Sequence, residues 1–238
     1  MRIGLQLYTV REAAEADLEG TLRTVAALGY EGVELYSLHG RSAADVRALL
    51  DEHGLAVVGR HVPLDADADD LARDAEALGC DRVALAWIEP VDTIEERDAS
   101  LGQIVGLGER LRSAGLRFGF HNHWSEVPTF DDGKSLLDLL PEWIWLELDL
   151  GWVWWAGRSP GELLEWAKGR TPLVHLKDLR ARDTREYVPV GEGGVGYGAV
   201  IPLAAELGGE WGIVEQDELD RPLADALARS IETVKEAA

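Results

Sequence analysis

Amphipathic segments alternate with short apolar runs along most of the chain. Leu18, Leu22 and Val25, for example, have the three- and four-residue spacing that places side chains on one face of a helix. Several of these segments end at a glycine, the residue best suited to the left-handed backbone conformation that closes a helix. These glycines are Gly29, Gly54, Gly79 and Gly115, and an apolar run follows each of them. The pattern predicts helices that are each followed by a buried strand.

Eight apolar runs qualify as strands, and a helix can be placed after each one. They cover residues 3–8, 31–36, 56–61, 82–87, 116–122, 144–149, 172–177 and 211–216, and the last helix covers 222–236. Alternating strands and helices are typical of a parallel sheet. Eight such units in 238 residues are close to the roughly 250 residues of a typical (β/α)8 barrel. We therefore predict an α/β fold, a single-domain TIM barrel over residues 1–238.

An open, doubly wound sheet is the main alternative to the barrel. Such a sheet commonly binds a nucleotide through a glycine fingerprint in its first strand-to-helix turn. The corresponding turn here, QLYTVREA, contains no glycine. Glycines instead crowd the segment GEGGVGYG within residues 179–198, which predicts a long loop. Two interpretations of this loop stay open: its N–H groups cradle a phosphate, or it is a flexible segment beside the barrel mouth.

The chain is strongly acidic, with 44 Asp and Glu residues against 23 Lys and Arg and a formal net charge of −21. Nucleic-acid binding depends on basic residues that neutralise phosphates, and anionic membranes repel acidic proteins, so we expect neither partner. The first residues become acidic too early for a signal peptide, and no apolar run approaches the roughly 20 residues that span a bilayer. Cys80 is the single cysteine, so no intrachain disulfide can form. These features predict a cytoplasmic protein.

Ionisable side chains occur at the ends of the last four predicted strands. The carboxyl ends of the strands form the active site in barrel enzymes, and side chains alternate between the barrel interior and the helices. Parity then directs two polar side chains from each strand towards the barrel mouth. The pairs are His121 and His123, Glu147 and Asp149, His175 and Lys177, and Glu215 and Asp217. Glu147 lies one layer below Asp149, and we expect a structural role for it.

Four of these residues have metal-ligand chemistry: His121, Asp149, His175 and Glu215. Mixed nitrogen and oxygen donors suit Mn²⁺, Zn²⁺, Co²⁺ or Fe²⁺. A divalent metal there would polarise a carbonyl or a hydroxyl pair and stabilise an enediolate. A single His or Asp at a strand end is more often structural, but burying several polar groups without partners would cost several kcal/mol. The convergence of four such groups therefore favours a functional site.

Tryptophans are concentrated between residues 143 and 155. Trp143 and Trp145 share the parity of Glu147 and are predicted to plug the bottom of the barrel. Trp152, Trp154 and Trp155 follow the strand and are predicted near the mouth. Aromatic rings in that place stack on a sugar or cover a subunit interface, so a homo-oligomer is one of two interpretations.

A set of motifs gives the chain a family resemblance. They are LQLYTVRE, GYEGVELY, FHNHWSEV, LELDLGWVWWAG, VHLKD, VGEG and IVEQDE, and they extend over most of the sequence. The chain resembles the xylose isomerase-like TIM-barrel superfamily, in the sugar phosphate isomerase/epimerase branch with its inosose dehydratase and ketose epimerase relatives. LELDLGW and VHLKD are fairly specific for the branch, but they do not specify a substrate.

The resemblance implies a divalent metal, often Mn²⁺, with Zn²⁺, Co²⁺, Mg²⁺ and Fe²⁺ as the other candidates. The implied ligands are Asp149, His175, Glu215 and one residue from strand five. Much of the family has a glutamate at that fourth position, whereas FHNH places His121 there, with His123 and Glu126 as local alternatives. Substrate contacts in the family come from strand ends and loops. At such positions this chain has His61, His123, Trp152, Lys177 and Glu192.

The implied activity is that of an isomerase or epimerase acting on a sugar or polyol. Family epimerases commonly use two carboxylates, one to remove the proton next to a metal-bound carbonyl and one to return it. Here His121 and Glu215 would be that catalytic pair, with Lys177, and imidazole is competent because its pKa is about 6.5. The same first step leads to β-elimination in inosose dehydratases and ketoglycoside-cleaving relatives. A sugar-binding barrel without catalysis is the third hypothesis, because it could dispense with the strand-five glutamate.

The acidic balance also bears on these hypotheses. The superfamily includes apurinic endonucleases, but a net charge of −21 opposes a cationic DNA groove. The same charge does not attract a phosphorylated sugar, so Lys177 or the glycine-rich loop would have to do so. A neutral sugar or polyol is therefore the expected small-molecule partner.

Overall fold

Eight parallel strands close into a barrel in the computed structural model, which describes residues 1–237. They are β1 (Arg2–Gln6), β2 (Gly32–Leu35), β3 (Ala56–Val62), β4 (Arg82–Leu85), β5 (Arg117–His121), β6 (Trp145–Asp149), β7 (Leu173–Leu176) and, after the two short hairpin strands β8 (Asp178–Leu179) and β9 (Tyr187–Val188), β10 (Trp211–Val214). The barrel closes where β1 pairs with both β2 and β10. The predicted (β/α)8 TIM barrel is confirmed.

Helices surround the barrel, and local sequence signals set where they begin and end. They are α1 (Arg11–Ala16), α2 (Leu18–Leu28), α3 (Ala43–Glu52), α4 (Ala68–Leu78), α5 (Ile94–Ser113), α6 (Leu136–Leu139), α7 (Leu150–Trp155), α8 (Pro160–Trp166), α9 (Tyr197–Glu206) and α10 (Leu223–Ala237). Gly29 and Gly79 have φ of 92° and 68° directly after α2 and α4, as predicted. Thr93 and Glu96 form a reciprocal capping box at the start of α5. Within residues 1–237 no helix is both long and apolar enough to cross a membrane.

Two apolar clusters pack the barrel. The larger one fills the space between strands and helices. The smaller one includes Leu173 and Trp211, the first residues of β7 and β10, with Trp145 of β6 packed against it at the bottom of the barrel, as predicted. The prediction for Trp143 is wrong, because this residue precedes β6 and strand parity does not apply to it. Its ring packs in the larger cluster, where a Cβ on Gly108 of α5 would lie 2.8 Å away.

Several barrel strands end one or two residues earlier than predicted. β1 ends at Gln6, whose side chain accepts a hydrogen bond from the Tyr8 N–H and starts a 3₁₀ turn over Leu7–Val10. β7 and β10 each end one residue before Lys177 and Glu215, respectively. Lys177 and Glu215 therefore stand just beyond their strands, at the barrel mouth.

A register shift between β2 and β3 creates room for a carboxylate inside the barrel. The shift falls between Val33 and Glu34. Gly59 of β3 lies opposite, and a Cβ on it would lie 2.9 Å from Glu34 Oε1. The absent side chain at residue 59 thus lets Glu34 be fully buried.

Candidate active site

Four metal-ligating side chains converge at the carboxyl end of the barrel. They are His121, Asp149, His175 and Glu215, here named the outer cluster, and one donor atom of each lies within 4.8 Å of the others. His121 and Asp149 are the last residues of β5 and β6, and His175 lies on β7. All four are buried. His175 Nδ1 lies 2.8 Å from Glu215 Oε2, so the imidazole faces this cluster with that nitrogen.

A second group of ligand-type residues shares two members with the first. It consists of His61, His121, Glu147 and His175, here named the inner cluster, and its donor atoms also lie within 4.8 Å of one another. His61 Nε2 lies 2.6 Å from Glu147 Oε2, and His121 Nδ1 lies 3.3 Å from the same oxygen. Glu147, for which only a structural role was expected, therefore contacts side chains of the candidate site directly.

Glu34 and Gln6 extend the inner cluster towards β2 and β1. Glu34 Oε2 lies 2.8 Å from His175 Nε2 and accepts a hydrogen bond from the Gln6 amide at 2.8 Å. The two ring nitrogens of His175 thus face different carboxylates, Glu34 on the inner side and Glu215 on the outer side.

The inner cluster and the adjacent Glu34 balance each other's buried charges. Burial opposes ionisation of Glu34, but His61 and His175 hold its pKa well below the ordinary value. Burial likewise disfavours the charged ring of His61, yet Glu34 and Glu147 raise its pKa to about 10. Burial and the charge of Glu34 raise the pKa of Glu147 to about 7. Contacts between opposite charges offset the cost of removing these groups from water. An unpaired buried charge would have no such compensation.

Lys177 lies beside the outer cluster and is almost completely buried. Its Nζ lies 2.9 Å from Asp217 and 3.1 Å from both Asp149 and Glu215. Burial alone would favour the neutral amine, but the three carboxylates raise the pKa of Lys177 well above its ordinary value. Lys177 therefore stays protonated at neutral pH.

Several donor atoms of the two clusters fit a metal ion. Among residues 1–237, three buried polar atoms of the clusters and one of the adjacent Glu34 form no hydrogen bond: His121 Nδ1, Glu147 Oε1, Asp149 Oδ2 and Glu34 Oε1. Asp149 Oδ2 and His121 Nδ1 lie near Lys177 and Glu147, respectively, but those contacts lack hydrogen-bond alignment. Buried polar atoms nearly always have partners, and nitrogen and carboxylate donors in this number are a divalent-metal set. The residues present therefore fit the ion that the sequence implies.

His121 is the strand-five residue that reaches both clusters. Burial and the nearby His175 and His61 hold its pKa well below the ordinary value, so the ring is neutral and able to ligate. Glu126, one of the alternatives, instead accepts hydrogen bonds from the His123 N–H and the Ser125 hydroxyl, each at 2.7 Å. His123 points its ring at Trp87, with 4.6 Å between the ring centroids. Neither alternative is a member of the outer or inner cluster.

A cavity of about 780 Å³ opens above the outer cluster. His121, Lys177 and Glu215 lie at its base, and aromatic side chains form much of its wall. These aromatic residues are Tyr8, Tyr36, Trp87, Trp124, Trp152 and Tyr187. A concave, largely apolar site with a few convergent polar groups is typical of small-molecule binding.

Comparison with known proteins agrees with this architecture. A family model described as the xylose isomerase-like TIM barrel matches residues 22–237. The chain belongs to this family.

Two relatives of this xylose isomerase-like chain have names that describe a metabolic role. The rhizopine catabolism protein MocC of Rhizobium meliloti is 26% identical, over 86% of this chain and 76% of its own length. An inosose dehydratase of Bacillus cereus is 22% identical, over 93% of this chain and 89% of its own. The chain is similar to both proteins at these identities.

Solved structures agree on the fold of this xylose isomerase-like barrel. A sugar phosphate isomerase/epimerase from Parabacteroides distasonis superposes with a TM-score of 0.81 at 18% identity, covering 98% of this chain and 96% of its own. A probable 3-DHS dehydratase from Bacillus anthracis superposes at 0.79 and 16% identity, with 99% of each chain covered. The IolI protein, solved with a zinc atom, superposes at 0.74 and 17% identity, over 100% of this chain and 98% of its own.

The structure brings together most of the predicted substrate-contact residues of this family member. His61, His123, Trp152 and Lys177 all line the cavity. Glu192 is placed elsewhere, because its carboxylate is held by Arg221 at 2.7 Å and by Arg229 at 3.2 Å. Glu192 does not line the cavity and ties the glycine-rich loop to Arg221, just before α10, and to Arg229 of α10, so its contact with substrate stays a prediction.

The glycine-rich loop of this barrel is already bound to a carboxylate of the chain itself. The Asp178 side chain accepts hydrogen bonds from four backbone N–H groups, those of Leu179, Gly191, Gly193 and Val195, at 2.9–3.3 Å. A Cβ on Gly193 would lie 2.2 Å from this carboxylate. Three N–H groups of the loop, those of Gly191, Gly193 and Val195, are thus already bonded to Asp178 and are not available to a phosphate.

Several cavity residues of this family member were missed from the sequence. Trp87 falls in the predicted fourth strand, but β4 ends at Leu85 and leaves it at the mouth, 43% exposed. Trp124 directly follows His123, which is a signal that could have placed it. Arg185 lies in the β8–β9 turn, and Tyr187 is the first residue of β9. The sequence there has no periodicity that would predict where these side chains point.

Proposed function

We propose that the protein is a divalent-metal-dependent sugar isomerase or epimerase that moves a proton at the carbon next to a carbonyl of a sugar or polyol. The observation that carries this proposal is the convergence of the outer cluster, two of whose members, His121 and Glu215, line one cavity together with Lys177. Ligands, a protonated donor and an apolar wall occur together there, as enolising enzymes require.

His121, Asp149, His175 and Glu215 are the residues that would hold the metal. Mn²⁺ is our first expectation, followed by Zn²⁺, Co²⁺, Mg²⁺ and Fe²⁺, because the donors are mixed nitrogen and oxygen. When bound, such an ion polarises a carbonyl group and acidifies the adjacent C–H bond.

In this proposal Glu215 would accept the substrate proton. Burial opposes its ionisation, but Lys177 and His175 hold its pKa well below the ordinary value, so it is a carboxylate at neutral pH. Lys177 is protonated and able to donate a hydrogen bond to the oxygen on which negative charge develops. His121 is neutral, the state in which an imidazole accepts a proton or ligates.

A dehydratase is the second candidate function, and one observation favours it. The site has His121 where an epimerase of this family commonly has a second carboxylate. β-Elimination needs one base and one acid, and Glu215 with Lys177 supplies that pair at 3.1 Å. The similarity to an inosose dehydratase supports the same candidate. A sugar-binding barrel without turnover is the remaining hypothesis.

Solvent-exchange NMR tests these functions. Protein loaded with Mn²⁺ or Zn²⁺ is incubated in D₂O with keto-sugars and inososes. Deuterium at the carbon next to the carbonyl supports proton transfer, and a product that has lost one water relative to the substrate identifies a dehydratase. Glu215→Gln should abolish exchange, whereas Glu210→Gln, a carboxylate paired with Arg82 at the barrel bottom, should retain it. A ligand that binds saturably but never exchanges would favour the binding protein.

A further inference from the structure

The cavity contains two strongly basic side chains, and one is neutralised. Of the described residues that line it, only Lys177 and Arg185 are Lys or Arg. Lys177 lies within 3.1 Å of three carboxylates, as described above. Its charge is already matched by these carboxylates, so Lys177 is not a free cation for a separate anionic group of the substrate.

Arg185 has a different environment on the turn between β8 and β9. Its guanidinium carbon lies 4.0 Å from the ring centroid of Trp124, 5.0 Å from that of Trp155 and 5.5 Å from that of Trp152. Among residues 1–237 no carboxylate lies within 4.0 Å of it. Stacking on aromatic faces orients a guanidinium and leaves its N–H edge free for a planar anion.

A neighbouring residue supplies a further unused donor. Trp152 is 2% exposed and lines the cavity, yet its indole N–H has no hydrogen-bond partner within the described chain. Buried N–H groups usually have an acceptor. An oxyanion seated against Arg185 would provide one.

We infer that Arg185 and the indole of Trp152 form an oxyanion subsite, so that the substrate carries a carboxylate or a phosphate group. This inference rests on the proposed function for the identity of the cavity as the substrate site. It replaces the expectation of a neutral sugar, which depended on the overall charge. A local cation is needed because the chain carries a net charge of −21 and Glu89 also lines the cavity. Three N–H groups of the glycine-rich loop are not available for this subsite, since Asp178 accepts their hydrogen bonds.

Ligand titration by tryptophan fluorescence tests the subsite, because three indoles surround Arg185. The probes are D-glucose, D-glucuronate and D-glucose 6-phosphate, added to the Mn²⁺-loaded protein. We expect at least one anionic probe to bind about tenfold or more tightly than glucose, as a charge-assisted hydrogen bond would provide. The two anions distinguish a carboxylate subsite from a phosphate subsite.

A matched pair of variants assigns the preference to one side chain. Arg185→Gln should remove the preference for the anion. Arg182→Gln should retain it, because Arg182 lies on the same turn but stacks on Trp154, outside the cavity lining. Equal or weaker binding of both anions, no saturable binding of either, or an equal loss in the two variants would overturn the subsite. Absence of deuterium exchange with the preference intact would instead count against the proposed function alone.

Discussion

The Nε2 atom of His175 lies 2.8 Å from the Oε2 atom of Glu34. Gln6 holds the same oxygen at 2.8 Å, and Gly59 leaves the space in which the carboxylate sits. A carboxylate that accepts the N–H of one ring nitrogen fixes the orientation of the imidazole and directs the other nitrogen to a metal. Glu34 therefore presents His175 Nδ1 to the outer cluster.

Replacing Glu34 is expected to weaken metal binding without direct loss of a ligand from the outer cluster. Glu34→Gln should lower Mn²⁺ affinity about 10- to 100-fold, the usual effect of losing such a partner. Isothermal titration calorimetry measures this change. Glu31→Gln is the control. Glu31 directly precedes β2, and its carboxylate pairs with Arg2. Unchanged affinity in Glu34→Gln would contradict the orienting role.

Asp149 combines metal ligation with helix capping, and two substitutions separate these roles. Its Oδ1 accepts a hydrogen bond from the Trp152 N–H at 2.9 Å at the start of α7. Asp149→Asn keeps an N-cap acceptor, so it should reduce Mn²⁺ affinity while largely retaining the helix. Asp149→Ala should lose about 1 kcal/mol more in the free energy of unfolding. Urea denaturation compares the two, and equal stabilities would argue against the capping role.

Substitution of Asp178 is expected to lower the free energy of unfolding more than most substitutions outside the outer cluster. Its carboxylate accepts four backbone hydrogen bonds and is 1% exposed. Asp178→Ala leaves those N–H groups without an acceptor and should cost about 3 kcal/mol. Thermal and urea unfolding measure the loss. Asp183→Ala, on an exposed part of the β8–β9 turn, should stay within about 0.5 kcal/mol of the parent.

Tyr30 should make the fold sensitive to alkaline pH. Its hydroxyl donates to the Leu227 carbonyl at 3.0 Å, and burial raises the pKa of Tyr30 far above the ordinary value. The unfolded chain ionises above about pH 10 while the folded chain does not, so stability is intact below that pH. Above about pH 10, ionisation of Tyr30 in the unfolded chain should lower the free energy of unfolding by about 1.4 kcal/mol per pH unit.

Tyr30→Phe tests this alkaline dependence. The variant should be about 1 kcal/mol less stable at neutral pH, because one hydrogen bond is lost. It should then lose less stability than the parent between about pH 10 and 11. Tyr8→Phe is the control, since Tyr8 is 41% exposed at the mouth. Parallel pH profiles of parent and Tyr30→Phe would contradict the role of Tyr30.

The barrel and the positions of its strand-end residues follow from sequence periodicity. Period-two alternation places Asp149 and His175 on the interior side of their strands, and the parallel closed sheet brings both to one end. That reasoning holds for Trp145, which lies on β6, and fails for Trp143, which precedes the strand.

Loop residues could not be placed in this way. Glu192 follows the β8–β9 hairpin. The path of the chain there is set by hydrogen bonds from Gly191 and Gly193 to Asp178, which lies more than ten residues earlier in the sequence. Arg185 lies on the turn of that hairpin, and its partners come from the loop after β5 and from α7. The contact between Glu34 and His175 depends on a register shift between β2 and β3, which a single sequence does not reveal.

The closing strand of the barrel has a consequence for biosynthesis. β10 pairs with β1 and β7, and Glu215 is the residue directly after it. A nascent chain that ends before residue 211 therefore has two open sheet edges and lacks one member of the outer cluster. Open edges invite association with other chains. Formation of the β1–β10 seam thus removes the aggregation-prone edges and completes the outer cluster in the same folding step.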